Sequence, residues 1–303
     1  MSYSMCPRRS LLIVPAGNAR ALAASDDLAA DGLLYDLSET VTPADKSDAR
    51  ERLRDHLAAS RFPGERVVRI NGLDTEWGTE DFLAARGANV DAIVLTRVEE
   101  PGIVRQIVSA LHETDAPERL KLWAMIETPL GVLNAASIAA EGSGRLSCLV
   151  VGIALLKLSS GMRPDADRSE LLPALSAVAL AAKAHSLSAI DGYHADVRDL
   201  AGFAAECGAA RRLGFDGKVL IHPSQIDGAN AAFQPDADAA AWAQKVMEAF
   251  AVSPDMQNGV ATLDGRTIDR LHLTEADRIL KLGDAIAART GTGAQTAQRK
   301  ATS

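Results

Sequence analysis

Six short apolar runs of this sequence end at polar or charged residues whose side chains could do chemistry together. An arginine such as Arg69, in RVVRI, can hold a carboxylate or an α-keto acid through two parallel hydrogen bonds. A carboxylate between an apolar run and a Pro-Gly turn, as Glu127 is in AMIETPLG, needs a cation, either a divalent metal or a nearby arginine. A polar residue at one strand end needs no function, but six at the same edge favour a shared one. The set comprises Asp36 with Glu39, Arg69 with Asn71, Thr96 with Arg97, Glu127, Asp191 and His222.

The elements that must bring these residues together follow from the spacing of eight apolar runs. Their starts lie 23 to 40 residues apart, and seven of the eight are followed by a stretch with helical spacing or alanine-rich composition. The pattern predicts an α/β fold, a closed parallel (β/α)8 TIM barrel in which the carboxyl ends of the strands form one active face. An open doubly wound sheet is the alternative, but it carries a glycine-rich phosphate turn that VPAGNAR lacks. The predicted strands are SLLIV (10–14), LLYDL (33–37), RVVRI (66–70), AIVLT (92–96), KLWAMI (121–126), CLVVG (148–152), SAID (188–191) and KVLI (218–221).

The character of the sequence changes after residue 232. A helix over 237–250, a short strand over 259–265 and a helix over 274–288 are predicted there. We therefore expect a barrel over 1–232, a C-terminal helical lid or oligomerisation extension over 233–289, and a disordered polar tail over 290–303.

Composition and charge narrow the class of partner. The net charge of −8 and the pI near 5.3 argue against nucleic acid or an anionic membrane as the main partner. No apolar stretch reaches eighteen residues, and the three cysteines are dispersed without a CxxC pair. These features predict a cytoplasmic protein with reduced thiols and a small-molecule ligand.

Six motifs, in order over residues 8 to 285, give the chain a family resemblance. It resembles the citrate lyase β-subunit-like branch of the HpcH/HpaI aldolase family, whose TIM barrels cleave or form carbon–carbon bonds in malyl-, citramalyl- or citryl-thioesters. The resemblance implies a carbon–carbon lyase, or a related thioester hydrolase, that binds a small carboxylate or a CoA thioester. A lid that serves the neighbouring subunit implies a homotrimer or a multiple of it. The motifs are RRSLLIVPAGNAR, YDLSETVTPADKSDAR, VVRINGLDTEWGTEDF, AMIETPLGVLNA, LGFDGKVLIHPSQI and LDGRTIDRLHL.

The resemblance also implies roles for particular residues. Glu127 would hold Mg²⁺, Arg69 would bind the substrate carboxylate or keto group, and Asp269 would be the acid or base of the lid. Apart from the resemblance, the basic residues Arg9, Arg20 and Lys46 are candidates to contact the phosphates of a CoA-type ligand, although exposed basic residues need no such role. Asn71, beside Arg69 in the same motif, is expected to contact substrate.

The chain departs from the family pattern at the metal site. The metal-ligating Asp after the sixth strand falls on Leu155, in GIALL, and a second acid falls on Ser159. The family's DLEDAV reads DLSETV here, which leaves Glu39 as the acid that could assist Glu127. A leucine has no lone pair, so we expect Mg²⁺ binding to be weak or absent.

Three hypotheses follow from this departure. The first is a lyase or hydrolase with weakened metal dependence. The second is a catalytically degenerate homologue that binds a small acid or a CoA ester as a regulatory or partner subunit. The third is a metal-independent enzyme that uses the same pocket, with Lys157 or His222 recruited.

Overall fold

The computed structural model describes residues 6–141, 144–252 and 259–301, which form two units. One unit is Arg8–Phe233, and the other contains Cys6, Pro7 and the described residues from Gln234 onward. The division falls next to the boundary that the change in sequence character suggested, after residue 232.

The first unit is a closed parallel barrel, and the predicted fold class is confirmed. All eight predicted strands are present and pair in sequence order, with the eighth returning to the first. Apolar side chains from every strand, among them Leu34, Val67 and Met125, fill the barrel interior. The strands are β1 Ser10–Pro15, β2 Gly32–Asp36, β3 Glu65–Arg69, β4 Ala92–Leu95, β5 Lys121–Ile126, β6 Leu146–Val151, β7 Ser188–Asp191 and β8 Gly217–Leu220.

Helices follow the strands and cover the outside of the barrel with a second, larger apolar cluster. Several helices start at a proline or a capping side chain; the Thr128 hydroxyl, for example, accepts a hydrogen bond from the Gly131 amide at 3.1 Å. The helices are α1 Ala19–Ser25, α2 Lys46–Ala59, α3 Gly78–Gly87, α4 Pro101–Glu113, α5 Pro129–Leu133, α6 Ala135–Ala140, α7 Ile153–Ser160, α8 Leu172–Ala184, α9 Leu200–Arg212 and α10 Ile226–Phe233, with 3₁₀ turns at Pro43–Asp45, Ser169–Leu171 and Pro223–Gln225.

The stretch VVGIALLKLSSG (150–161) forms the end of β6 and then α7. The helix begins directly after Gly152 and ends at Gly161, whose φ of 72° is the left-handed conformation that suits glycine at a helix end. This places residues 153–156 in the first turn of a helix at the mouth of the barrel.

The second unit contains α11 Ala237–Val252, β9 Val260–Leu263, β10 Arg266–Asp269 and α12 Arg270–Ala301. The two strands form an antiparallel hairpin, and the φ values of 50° at Asp264 and 75° at Gly265 suit a tight two-residue turn. The sequence predicted only the first of these strands. Buried Val246, Phe250 and Ile268 contribute to a separate apolar core.

The C-terminal segment differs from the predicted disordered tail over 290–303. The last helix continues to Ala301, although the segment contains Gly291 and Gly293, which lower its helix propensity. Residues 302 and 303 lie outside the described residues. No helix among the described residues is long and apolar enough to cross a bilayer.

Candidate active site

A buried ion pair between Asp36 and Arg69 lies at the mouth of the barrel. Asp36 ends β2 directly opposite Arg69, which ends β3. Both residues lie two positions beyond interior side chains of their strands, so both face inward. The guanidinium donates two hydrogen bonds to the carboxylate, from Nε at 2.7 Å and from Nη2 at 2.8 Å. The remaining nitrogen, Nη1, lies 3.9 Å from the sulfur of Met125.

The pair fixes the charge of both groups. Burial alone would raise the pKa of Asp36, but hydrogen bonds from Arg69 and Ser38 and the arginine charge hold that pKa well below its ordinary value. Burial opposes the charged form of Arg69 as well, but Asp36 outweighs it and raises the arginine pKa. Arg69 is therefore a permanently charged and rigidly oriented group.

Glu127 is the second inward-facing charge, one residue beyond β5. Its side chain is buried, and Oε2 accepts a hydrogen bond from the Arg97 amide at 2.8 Å. Burial raises the pKa of Glu127 to about 7, although the Arg97 hydrogen bond and the charge of Arg69 act in the opposite direction. A carboxyl with this pKa can exchange a proton near neutral pH.

Gly152 allows this position of Glu127. A Cβ added at residue 152 would overlap Cγ and Oε1 of Glu127 and would lie 2.7 Å from Cδ. The end of β6 therefore approaches the carboxyl group more closely than any residue with a side chain could.

The first turn of α7 presents no oxygen ligand to Glu127. Ile153 and Leu156 are buried, Leu155 is half-buried, and Ala154 completes the turn. Ser159 lies one turn after Leu155 on the same helix face, and its hydroxyl approaches the Glu127 carbonyl oxygen at 3.4 Å. Leu155 therefore lies on the side of α7 that faces the end of β5.

The donor set that Mg²⁺ would need does not assemble at this mouth. No group of three His, Cys, Asp or Glu side chains in the described residues is placed to hold a metal ion. Asp36 is occupied by Arg69, and the Ser38 and Thr40 amides also donate to its carboxylate. Glu39, expected to assist Glu127, is 66% exposed and lies 3.7 Å from Arg69 Nη2. The residues present do not fit a resident divalent cation, which prefers about six oxygen ligands.

Lys46 and Asn71 are committed to the scaffold, which corrects their expected contacts with ligand. The Lys46 ammonium donates to the carbonyl oxygens of Leu37 and Ser38 and to the Asn71 side-chain oxygen, which uses all three of its hydrogens. The Asn71 amide group donates in turn to Leu37 and to Asp81. These bonds join the ends of β2 and β3 and leave Lys46 with no donor for a phosphate.

Arg9 is also misplaced in the sequence prediction. It precedes β1, at the opposite end of the barrel from the mouth, and only 5% of it is exposed. Its guanidinium donates to Asp31 from Nε at 2.8 Å and from Nη2 at 2.9 Å. Arg9 is a structural residue, because a buried guanidinium without its carboxylate partner would be costly.

Three other residues singled out in the sequence form local contacts of their own or no ion pair at all in the described structure. His222 is exposed and its Nδ1 lies 2.8 Å from the Ser224 hydroxyl. Lys157 is half-buried on α7 and forms no ion pair with Glu127 in the described structure. Asp269 belongs to the second unit, where its carboxylate lies 2.7 Å from His272 Nδ1, and this contact lowers the pKa of the acid.

A buried charge network that the sequence reasoning did not predict lies behind β7 and β8. Asp191 accepts hydrogen bonds from Arg168 at 2.9 Å and from Lys218 at 2.6 Å. Glu206 lies 2.9 Å from Lys218 and 2.8 Å from His194. Lys218 could have indicated this network from the sequence, because a lysine inside an apolar strand needs a buried partner. Asp191, a predicted rim residue, is thus committed to the barrel wall.

A cavity of about 390 Å³ opens beside the mouth, between the loops that follow β3 and β4. Thr96 and Arg97 lie on its wall next to Glu127, and Asp74, Glu99 and Gln106 contribute further polar groups. The cavity therefore adjoins the inward-facing charges, because Arg97 both lines the cavity and donates its amide hydrogen to Glu127.

Comparisons with known proteins point to one family. A family model described as HpcH/HpaI aldolase/citrate lyase matches residues 9–223. The (3S)-malyl-CoA thioesterase of Cereibacter sphaeroides (strain ATCC 17025 / ATH 2.4.3) is 39% identical over 291 residues, which cover 95% of this chain and 99% of the relative. The citrate lyase subunit beta of Leuconostoc mesenteroides subsp. cremoris is 32% identical over 92% of this chain and 94% of the relative. A CitE structure from Mycobacterium tuberculosis in complex with magnesium, acetoacetate and coenzyme A aligns with a TM-score of 0.74 and 29% identity, covering 93% of this chain and 100% of that chain.

Proposed function

The chain belongs to the HpcH/HpaI aldolase/citrate lyase family, and from that premise we propose that it cleaves a malyl-type CoA thioester. The observation that carries the proposal is the placement of Arg69 and Glu127 at one barrel mouth, facing inward from β3 and β5. One group supplies a fixed positive charge and the other a carboxyl that can move a proton.

The geometry assigns different tasks to the two groups. Asp36 occupies Nε and one hydrogen of Nη2 of Arg69, so Nη1 is the edge of the guanidinium available to a substrate carboxylate or keto oxygen. Glu127, held at Oε2 by the Arg97 amide, can accept or donate a proton through Oε1.

Two reactions at this site give different products. In hydrolysis, water adds to the thioester carbonyl carbon, the C–S bond breaks, and malate and free CoA thiol form. In carbon–carbon cleavage, the hydroxyl proton is removed, the C2–C3 bond breaks, and the resulting thioester enolate takes a proton, which gives glyoxylate and acetyl-CoA. The thioesterase relatives, at 37 to 39% identity, favour hydrolysis, and the citrate lyase subunits, at 31 to 32%, favour cleavage. We propose hydrolysis first and carbon–carbon cleavage as the second candidate.

The test is a product assay on purified protein with (3S)-malyl-, citramalyl- and citryl-CoA. Thiol release measured with a disulfide dye reports hydrolysis, and glyoxylate, pyruvate or oxaloacetate measured in parallel reports cleavage. Arg69→Gln should lower kcat/KM at least about 100-fold. The matched control is Arg105→Gln, because Arg105 is an exposed arginine on α4 that pairs with Glu141.

Absence of both products with all three thioesters would contradict the proposal. Saturable binding of the same thioesters without turnover would instead support a degenerate homologue that acts as a regulatory or partner subunit. Calorimetry with the same thioesters and protein preparations distinguishes a protein that does not bind them from one that binds them without turnover.

We propose from the family resemblance that Asp269 contributes the lid acid or base to a neighbouring subunit of a homotrimer or a multiple of it. The support in this chain is an exposed acid held in a defined rotamer by His272. Arg69→Gln and Asp269→Asn proteins, each inactive alone, should recover part of the activity when mixed and allowed to exchange subunits. A monomer by light scattering, or no recovery after demonstrated exchange, would contradict this assignment.

A cytoplasmic location remains part of the proposal. It is supported by the free thiols of Cys148 and Cys207, both of which are buried. The net charge of −8 supports a small-molecule partner rather than nucleic acid or a membrane.

A further inference from the structure

Arg97 has an unusual backbone and an uncommitted side chain. Its φ of 51° is a left-handed conformation that costs a residue other than glycine on the order of 1 kcal/mol. The conformation directs the amide toward Glu127 Oε2, at 2.8 Å. The side chain is exposed, lines the 390 Å³ cavity, and forms no ion pair within the described part of the chain. Strain of this kind at a site mouth is consistent with a functional requirement.

The cationic side of the mouth must come from arginine if no metal is held. Arg69 already has Asp36 as its counter-charge, and it faces the barrel interior. Leu155 and Ser159, on the α7 face toward β5, supply no carboxylate to complete a metal site with Glu127. Arg97 contacts Glu127 through its amide, and its side chain forms no ion pair within the described residues.

We infer that the guanidinium of Arg97, with Arg69, holds the substrate carboxylate at this mouth in place of a divalent cation. The inference rests on the proposed function for the identity of the substrate, but its binding steps can be measured without turnover. A guanidinium can hold a carboxylate through two parallel hydrogen bonds, and it needs none of the oxygen ligands that this mouth lacks. The structure of the CitE neighbour, by contrast, is described as a complex with magnesium.

The first test measures metal binding directly, with Mn²⁺ as a paramagnetic probe and no substrate. The wild-type protein should leave the signal of free Mn²⁺ unchanged up to about millimolar concentration, and Leu155→Asp should bind Mn²⁺ at least about tenfold more tightly. Leu158→Asp is the matched control, because Leu158 is 79% exposed on the same helix. Saturable Mn²⁺ binding by the wild type that Glu127→Gln abolishes would overturn the inference.

The second test measures the binding of L-malate by calorimetry in the presence of EDTA. Arg97→Gly keeps the amide and tolerates the positive φ but removes the guanidinium, so it should weaken L-malate binding at least about tenfold, while Arg97→Lys should weaken it less. Unchanged affinity in Arg97→Gly, or L-malate binding that requires added Mg²⁺ in the wild type, would overturn the inference. Loss of thioester turnover in the product assay, with both binding results intact, would count against the proposed function alone.

Discussion

Replacing Gly152 by alanine tests the close approach on which the position of Glu127 depends. The new Cβ would overlap Cγ and Oε1 of Glu127, so either the carboxyl group or the β6–α7 turn must move. Movement of the carboxyl group breaks the 2.8 Å hydrogen bond from the Arg97 amide. Losing a hydrogen bond to a buried acid and overpacking its site together cost about 2–5 kcal/mol of unfolding free energy.

The assay pairs urea denaturation with thioester turnover for Gly152→Ala. We expect both to fall, with kcat/KM reduced at least about tenfold because the carboxyl leaves its aligned position. Gly102→Ala is the matched control, since a Cβ there meets nothing within 4 Å and the residue lies on the exposed face of helix α4. The control should be neutral or stabilising by roughly 0.5–1 kcal/mol. Equal stability and turnover in Gly152→Ala and the wild type would refute the close-packed geometry.

Three further predictions concern the buried charges. The pKa of Glu127 is raised from 4.5 to about 7, so between these pH values the folded protein retains a proton that the unfolded chain loses. The free energy of unfolding should therefore fall on the order of 3 kcal/mol as the pH rises from 4.5 to 7. Glu127→Gln should remove this pH dependence from the free energy of unfolding measured in urea. Asp36→Asn removes the buried counter-charge of Arg69 and leaves only the exposed Glu39 near it, so it should cost about 3–5 kcal/mol; a loss below about 1 kcal/mol would contradict the buried pair. Lys218→Met should lower the free energy of unfolding by a similar amount. If the 2.6 Å contact between Lys218 and Asp191 is energetically important, a double-mutant cycle with Asp191→Asn should give a coupling energy of at least about 1 kcal/mol.

The barrel could be predicted from the sequence because its strands carry a strong local signal. Each strand is a run of apolar residues that is buried on both faces, as in KLWAMI, and the spacing between runs leaves room for one helix. Inward positions at strand ends could also be predicted, because side chains alternate along a strand; Arg69 and Glu127 both face the interior as this rule requires. The second hairpin strand was missed because four residues of mixed polarity in RTID carry little periodic signal.

The partners of the charged residues could not be predicted in the same way. Arg9 pairs with Asp31, and Lys46 bonds to Asn71, so in each case the deciding contact joins residues about 20 positions apart or more through the fold. A sequence shows that a lysine is present, but whether its three hydrogens are already used depends on where neighbouring loops end. The Asp36–Arg69 pair was closer to being predictable, because adjacent parallel strands that end together place their last residues side by side.

The distribution of polar groups makes the mouth asymmetric, and this limits where a charged substrate can bind. On the β6–β7 side, a Cβ at Gly192 would lie 2.7 Å from Cβ of Ile153, so the start of α7 packs an apolar side chain closely against the end of β7. Asp191 is turned outward into the wall network. Among the described residues, the inward charges at the mouth are those of Asp36, Arg69 and Glu127, and the cavity adjoins that same half through Arg97. A carboxylate entering the mouth is therefore attracted to the β2–β5 half, where Glu127 can reach the atoms next to it.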